Sequence, residues 1–143
     1  MEEYVRKLTT VAVAAGLFLG GMGAAVADSW HSLPTMTTRG VVATGKYTWE
    51  PRGQNHGGFH FDVKLRDDEV ADGHNVYLET KVEGYSWSRL YGVQRKTVTL
   101  KKVIYDGAAQ YTNEAWIRAC RDRGSLRPDN CADTLNYKRQ GQR

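Results

Sequence analysis

The sequence predicts an all-β fold: a single antiparallel β-sandwich, or a small barrel, of six or seven strands, with one disulfide, behind a cleaved signal peptide. Three observations carry this. Short runs rich in β-branched and aromatic residues recur between Gly and Asp turns. Phe59–Leu65 and Val76–Val82 alternate between an apolar and a polar face with the period of two that belongs to a half-wet antiparallel sheet. Beyond residue 27 no run sustains the 3.6-residue apolar stripe of an amphipathic helix.

Residues 1–27 have the layout of a secretory leader. Arg6 and Lys7 supply a positive start, Val11 to Leu19 an apolar segment, and Ala25-Val26-Ala27 a small-residue cleavage pattern. The apolar segment is short and broken by glycines, which argues against a retained membrane span. The expected mature chain, Asp28 to Arg143, is secreted and extracellular, one domain in length, with no membrane contact after cleavage. The leader's charges cancel, so this chain keeps the full net charge of +4. That surplus is too small to argue for a nucleic-acid partner.

Residues 28–39 have no strand or helix period. Ser, Thr and Pro dominate, and Trp30, His31, Leu33 and Met36 stand among them. The segment reads as an extended N-terminal arm ahead of a domain at 40–143. It either folds back on that domain or docks on a partner by strand addition, with Trp30, His31, Leu33 and Met36 as the contacts.

Gly40 to Glu50 is the first expected strand, ended by Pro51 and with a possible bend at Gly45. After a Gly- and Asn-rich turn, Phe59, Phe61, Val63 and Leu65 alternate with His60, Asp62, Lys64 and Arg66. An acidic turn ending in Asp72-Gly73 leads to Val76–Val82, with Val76, Leu78, Thr80 and Val82 inward. Tyr85–Tyr91 forms an aromatic strand. Val93–Tyr105 follows, and Lys101-Lys102 breaks its phase, which predicts a bulge or a sheet edge. Tyr111–Cys120 and Thr134–Arg139 close the series.

Cys120 and Cys131 are the only cysteines. In an exported chain they most simply pair with each other, closing a hairpin loop worth roughly 3 kcal/mol in the chain-entropy model. The alternative, two reactive thiols, lacks a C-x-x-C spacing.

Signatures of catalysis are missing. There is no G-x-S-x-G elbow and no phosphate-binding glycine loop. His56, His60 and Asp62 make an incomplete ligand set, and the run Asp67-Asp68-Glu69 with Asp72 departs from the spacing of a calcium loop. The expectation is a non-enzymatic protein with no cofactor and no metal. Tyr85, Trp87 and Tyr91 share one phase with Arg89. The other phase is Ser86, Ser88 and Leu90, small and polar at two of three positions, which turns the aromatic phase inward as core. The alternative is a wet stacking surface for sugar rings or for a partner protein. Arg121, Arg123 and Arg127, beside the two cysteines, form a second candidate surface.

The pattern Trp116-Ile-Arg-Ala-Cys-Arg-Asp-Arg-Gly-Ser-Leu-Arg-Pro-Asp-Asn-Cys131, behind a leader and about five strands, resembles small exported actinobacterial proteins. It is also similar to the adaptor subunit of secreted umbrella-shaped toxin particles. That resemblance implies a β-sandwich bridging a lectin subunit to the repeat stalk of an antibacterial toxin polypeptide, with the segment Asp28 to Arg39 inserted in a partner. The two functional expectations are therefore an adaptor of this kind and, as the alternative, a secreted inhibitor or carbohydrate-binding module using the aromatic strand.

Overall fold

The computed structural model describes residues 28–140. The expected leader lies outside them. The described residues form two antiparallel sheets packed face to face, with nine strands where six or seven were expected.

The four-stranded sheet has the order β1 (His31–Thr38), β2 (Val41–Trp49), β3 (Phe59–Asp67), β6 (Thr97–Ile104). The five-stranded sheet has β5 (Ser88–Tyr91), β4 (Val76–Val82) and β7 (Glu114–Arg121) in order. Beyond β7, the short strands β8 (Asn130–Cys131) and β9 (Leu135–Lys138) share its far side. Phe59, Phe61, Val63 and Leu65 are fully buried, as are Val76, Leu78, Ala115, Ile117 and Ala119 from the opposite sheet. These are the apolar phases of their strands, so period-two patterning translates directly into a two-layer core.

The reading of residues 28–39 as an arm outside the domain is corrected. His31–Thr38 is a strand of the sandwich, hydrogen-bonded along β2, and Leu33 and Met36 lie in the core at 6% and 2% exposure. In an unbroken strand, residues three apart point to opposite faces. Here the register steps from Leu33 opposite Gly45 to Met36 opposite Ala43, so Pro34 and Thr35 together oppose Thr44. This bulge resets the phase and turns both large side chains inward. Arg39 and Gly40 make the turn into β2, with Gly40 at φ +81°, a conformation that favours glycine.

β2 runs through Gly45 without interruption. A Cβ at Gly45 would fall 2.2 Å from the Asp62 carbonyl oxygen, so glycine serves close strand approach there. Lys101 and Lys102 sit on β6, at the edge of its sheet, which settles the phase break as an edge feature.

The acidic turn after β3 is a structural clamp. Arg121, 6% exposed, donates from Nε to Asp72 Oδ2 at 2.7 Å and lies 3.5 Å from Glu69. Asp67 accepts the backbone N–H groups of Glu69 and Arg95. Arg121 is thus a buried tie between the turn and β7, which corrects its place among the surface candidates.

Candidate functional site: the outer face of the five-stranded sheet

On β4 the residues turned away from the core are Tyr77, Glu79 and Lys81. Register places Cys120, Arg118 and Trp116 of β7 beside them on one side, and Tyr91 and Arg89 of β5 beside Tyr77 and Glu79 on the other. Cross-strand neighbours share a face, so these side chains form rows across the sheet.

In the first row Tyr91 packs against Tyr77 with ring centroids 5.6 Å apart, and the Cys120–Cys131 disulfide continues the line. The second row is Arg89, Glu79, Arg118. Glu79 is 5% exposed and holds both guanidiniums: Arg118 donates to Oε2 from Nε at 2.8 Å, and Arg89 to Oε1 at 3.3 Å. A buried carboxylate needs such charge-assisted partners. In the third row the Lys81 ammonium lies 4.6 Å from the Trp116 ring centre and 5.2 Å from that of Trp87, so one cation bridges two indoles. Arg118 covers Trp87 at 4.4 Å, and Arg89 covers Tyr77 at 4.3 Å. Cations therefore cover rings within the third row and between neighbouring rows.

The disulfide loop is fastened to this face. The Tyr77 hydroxyl donates to Asp129 Oδ2 at 2.5 Å, and the Arg123 backbone N–H donates to Asp129 Oδ1 at 2.9 Å. Burial, and then the hydrogen bond to Asp129, push the Tyr77 phenol well above its ordinary pKa. Burial alone would raise Asp129. The Tyr77 and Arg123 hydrogen bonds and the charges of Arg89 and Arg123 outweigh it and hold the carboxyl below its ordinary value. Beside this anchor, Arg89, Asp122, Gly124, Ser125, Arg127, Pro128 and Asp129 line a hollow of about 510 Å³. Leu126, at the loop tip, is 95% exposed.

Several expected site residues meet here. Arg89 and Tyr91 are exposed on the face, Trp87 is half-buried under Arg118, and Tyr85 is exposed just before β5. The inward reading of this aromatic phase is corrected: Leu90, from the other phase, packs on the core. Arg123 and Arg127 lie on the attached loop, Arg123 half-buried and Arg127 exposed. Trp30 and His31 are elsewhere. Both are exposed, and Trp30 packs edge-on against His60 and under Lys46 at the four-stranded sheet. Sequence reasoning passed over Tyr77, Glu79, Lys81 and Trp116. Their signal was present as the wet phase of β4 and as the residue flanking inward Ile117, but only register joins the two strands.

Among the described residues one grouping has metal-ligand proximity: Glu79, Cys120 and Cys131. Its sulfurs are consumed in the disulfide. His60 instead bonds Glu50 at 2.8 Å, and Asp62 pairs with Lys101.

Comparison with protein-family models, with curated proteins and with solved structures finds no match to this chain.

Proposed function

We propose that this chain is an exported, non-enzymatic protein-binding module whose contact surface is the outer face of the five-stranded sheet together with the disulfide loop. The observation that carries the reading is Leu126: a large apolar side chain held out at the tip of a loop that the disulfide and the Tyr77–Asp129 bond fasten beside a row of Tyr and Arg residues. An apolar anchor next to ordered Tyr, Trp and Arg side chains has the composition of a protein-binding hot spot. The ordering lowers the entropy lost on association.

The adaptor role is the most concrete form of this reading, with a lectin subunit and a repeat-containing toxin polypeptide as its partners. With Leu33 and Met36 buried, the contact surface proposed for this role is this face rather than the N-terminal segment. A sugar-binding role is less well supported, because Arg118 and Lys81 already occupy Trp87 and Arg89 occupies Tyr77.

The test is site-directed photo-crosslinking in the producing culture. A crosslinker at position 126 or 91 should trap the same protein species, and one at position 64, on the opposite sheet, should not. Equal trapping from all three positions, or none from 126 and 91, would sink the proposal.

A further inference from the structure

The two sheets part along the side where β5 ends one and β6 ends the other. Between them is a crevice of about 200 Å³, lined by Thr80, Val82, Ser88, Lys102, Ile104 and the two tyrosines Tyr85 and Tyr105, among others. Register explains why it is there. Thr80 stands opposite Ile117 on one side and Ser88 on the other, and Lys102 stands opposite Phe61. Ile117 and Phe61 are fully buried, so Thr80, Ser88 and Lys102 all occupy core-facing positions of their strands. Three polar residues therefore stand where the fold elsewhere places apolar ones, and all three are at the same opening.

Two of them are unspent. Thr80 is 1% exposed and its Oγ1 has no hydrogen-bond partner, alone among the buried side-chain polar atoms of the described residues. Buried hydroxyls are nearly always paired, so an unpaired one on a residue that lines a crevice marks a place for a hydrogen-bonding group. Neighbouring Lys101 pairs with Asp62, while Lys102 has no ion-pair partner among the described residues. Val82 and Ile104 supply apolar walls, and Tyr85 and Tyr105 are exposed large rings beside them. The volume is below the roughly 300 Å³ at which drug-sized pockets begin, which limits the occupant to about one ring.

We infer that the crevice binds a small phenolic carboxylate: the phenol hydrogen-bonds Thr80, the ring lies between Val82, Ile104 and the tyrosines, and the carboxylate meets the Lys102 ammonium. The crevice adjoins the outer face and shares Lys81 and Tyr85 with it, but the inference does not rest on the protein-binding reading.

Titration of the oxidised, ¹⁵N-labelled chain with 4-hydroxybenzoate tests it. Benzoate, which lacks the hydroxyl, and p-cresol, which lacks the charge, are the comparison arms. Saturable shifts are expected at Thr80, Ser88, Lys102, Ile104 and Tyr105. Thr80→Val, which preserves shape, should weaken 4-hydroxybenzoate about tenfold and leave benzoate unchanged. Lys102→Gln, at an exposed position, should bring 4-hydroxybenzoate down to the level of p-cresol. Absence of saturable shifts, shifts confined to other surfaces, or wild-type affinity in folded Thr80→Val and Lys102→Gln would each overturn the inference.

Discussion

The Tyr77 hydroxyl, on the second strand of the five-stranded sheet, donates to Asp129 in the disulfide loop at 2.5 Å across 52 residues of sequence. One end of this bond is a phenol 1% exposed, and the other is a carboxylate that also binds the Arg123 backbone N–H. Removing the hydroxyl leaves that carboxylate under-satisfied. Tyr77→Phe should cost roughly 1–3 kcal/mol in urea denaturation. Tyr77→Phe combined with Asp129→Asn should cost less than the sum of the two, since both break one interaction. Additivity would show the bond to be energetically idle.

Acid should destabilise the fold through the same loop and the clamp opposite. Asp129 and Asp72 both have lowered pKa values. For Asp72 burial acts upward, and it is outweighed by the His74 backbone N–H and the hydrogen bond and charge of Arg121. A depressed carboxylate stabilises the folded state above its unfolded pKa, near 3.9, and that contribution is lost as pH falls through the folded value. Melting temperature followed downward from pH 6 should hold and then drop below about pH 4. Asp72→Asn should lower the plateau and flatten the drop. An unchanged slope in that variant would remove Asp72 from the account.

Glu79 holds two guanidiniums on a surface that looks polar but is closed to water at its centre. Glu79→Gln leaves Arg89 and Arg118 without their shared counter-charge and should destabilise by roughly 1–3 kcal/mol, because both guanidiniums are partly solvated. It should also loosen the rings those arginines cover, visible as a reduced near-ultraviolet circular dichroism signal. A variant with unchanged stability and spectrum would show the ion pairs to be surface decoration.

Met36 separates a strand from a free arm in one measurement. Met36→Ala should cost about 2–5 kcal/mol, the range for emptying a buried large side chain. Deleting residues 28–38 should abolish the cooperative transition, because it removes an entire strand along with Leu33. A truncated chain that melts like the intact one would restore the arm.

Where strands keep strict phase, the sequence is transparent. Phe59–Asp67 and Val76–Val82 could be oriented residue by residue, and Cys120 and Cys131 pair as the compartment argument expects. Legibility fails where phase breaks or where an edge inverts the meaning of polarity. The bulge at Pro34–Thr35 hid a core strand by placing Leu33 and Met36 three apart. Ser88 made the aromatic phase look like core, although it faces inward at the open side of the sandwich, where small polar residues are tolerated. The covering of rings by cations was out of reach for another reason. Lys81 is on β4, Trp87 just before β5, and Trp116 and Arg118 on β7, and only the pairing of these segments brings Lys81 within 5.2 Å of both indoles and Arg118 within 4.4 Å of Trp87.

The borders of the two sheets have a colloidal consequence. β1 carries a kink and Pro34, which has no N–H to offer, and β6 carries Lys101 and Lys102. β5 is four residues long, and the border beyond β7 is split into pieces of two and four. Each border is therefore too short, too bent or too charged to template a neighbour's backbone. Among the described residues, then, the rims of both sheets carry features that work against edge-to-edge pairing of crowded molecules into fibrils.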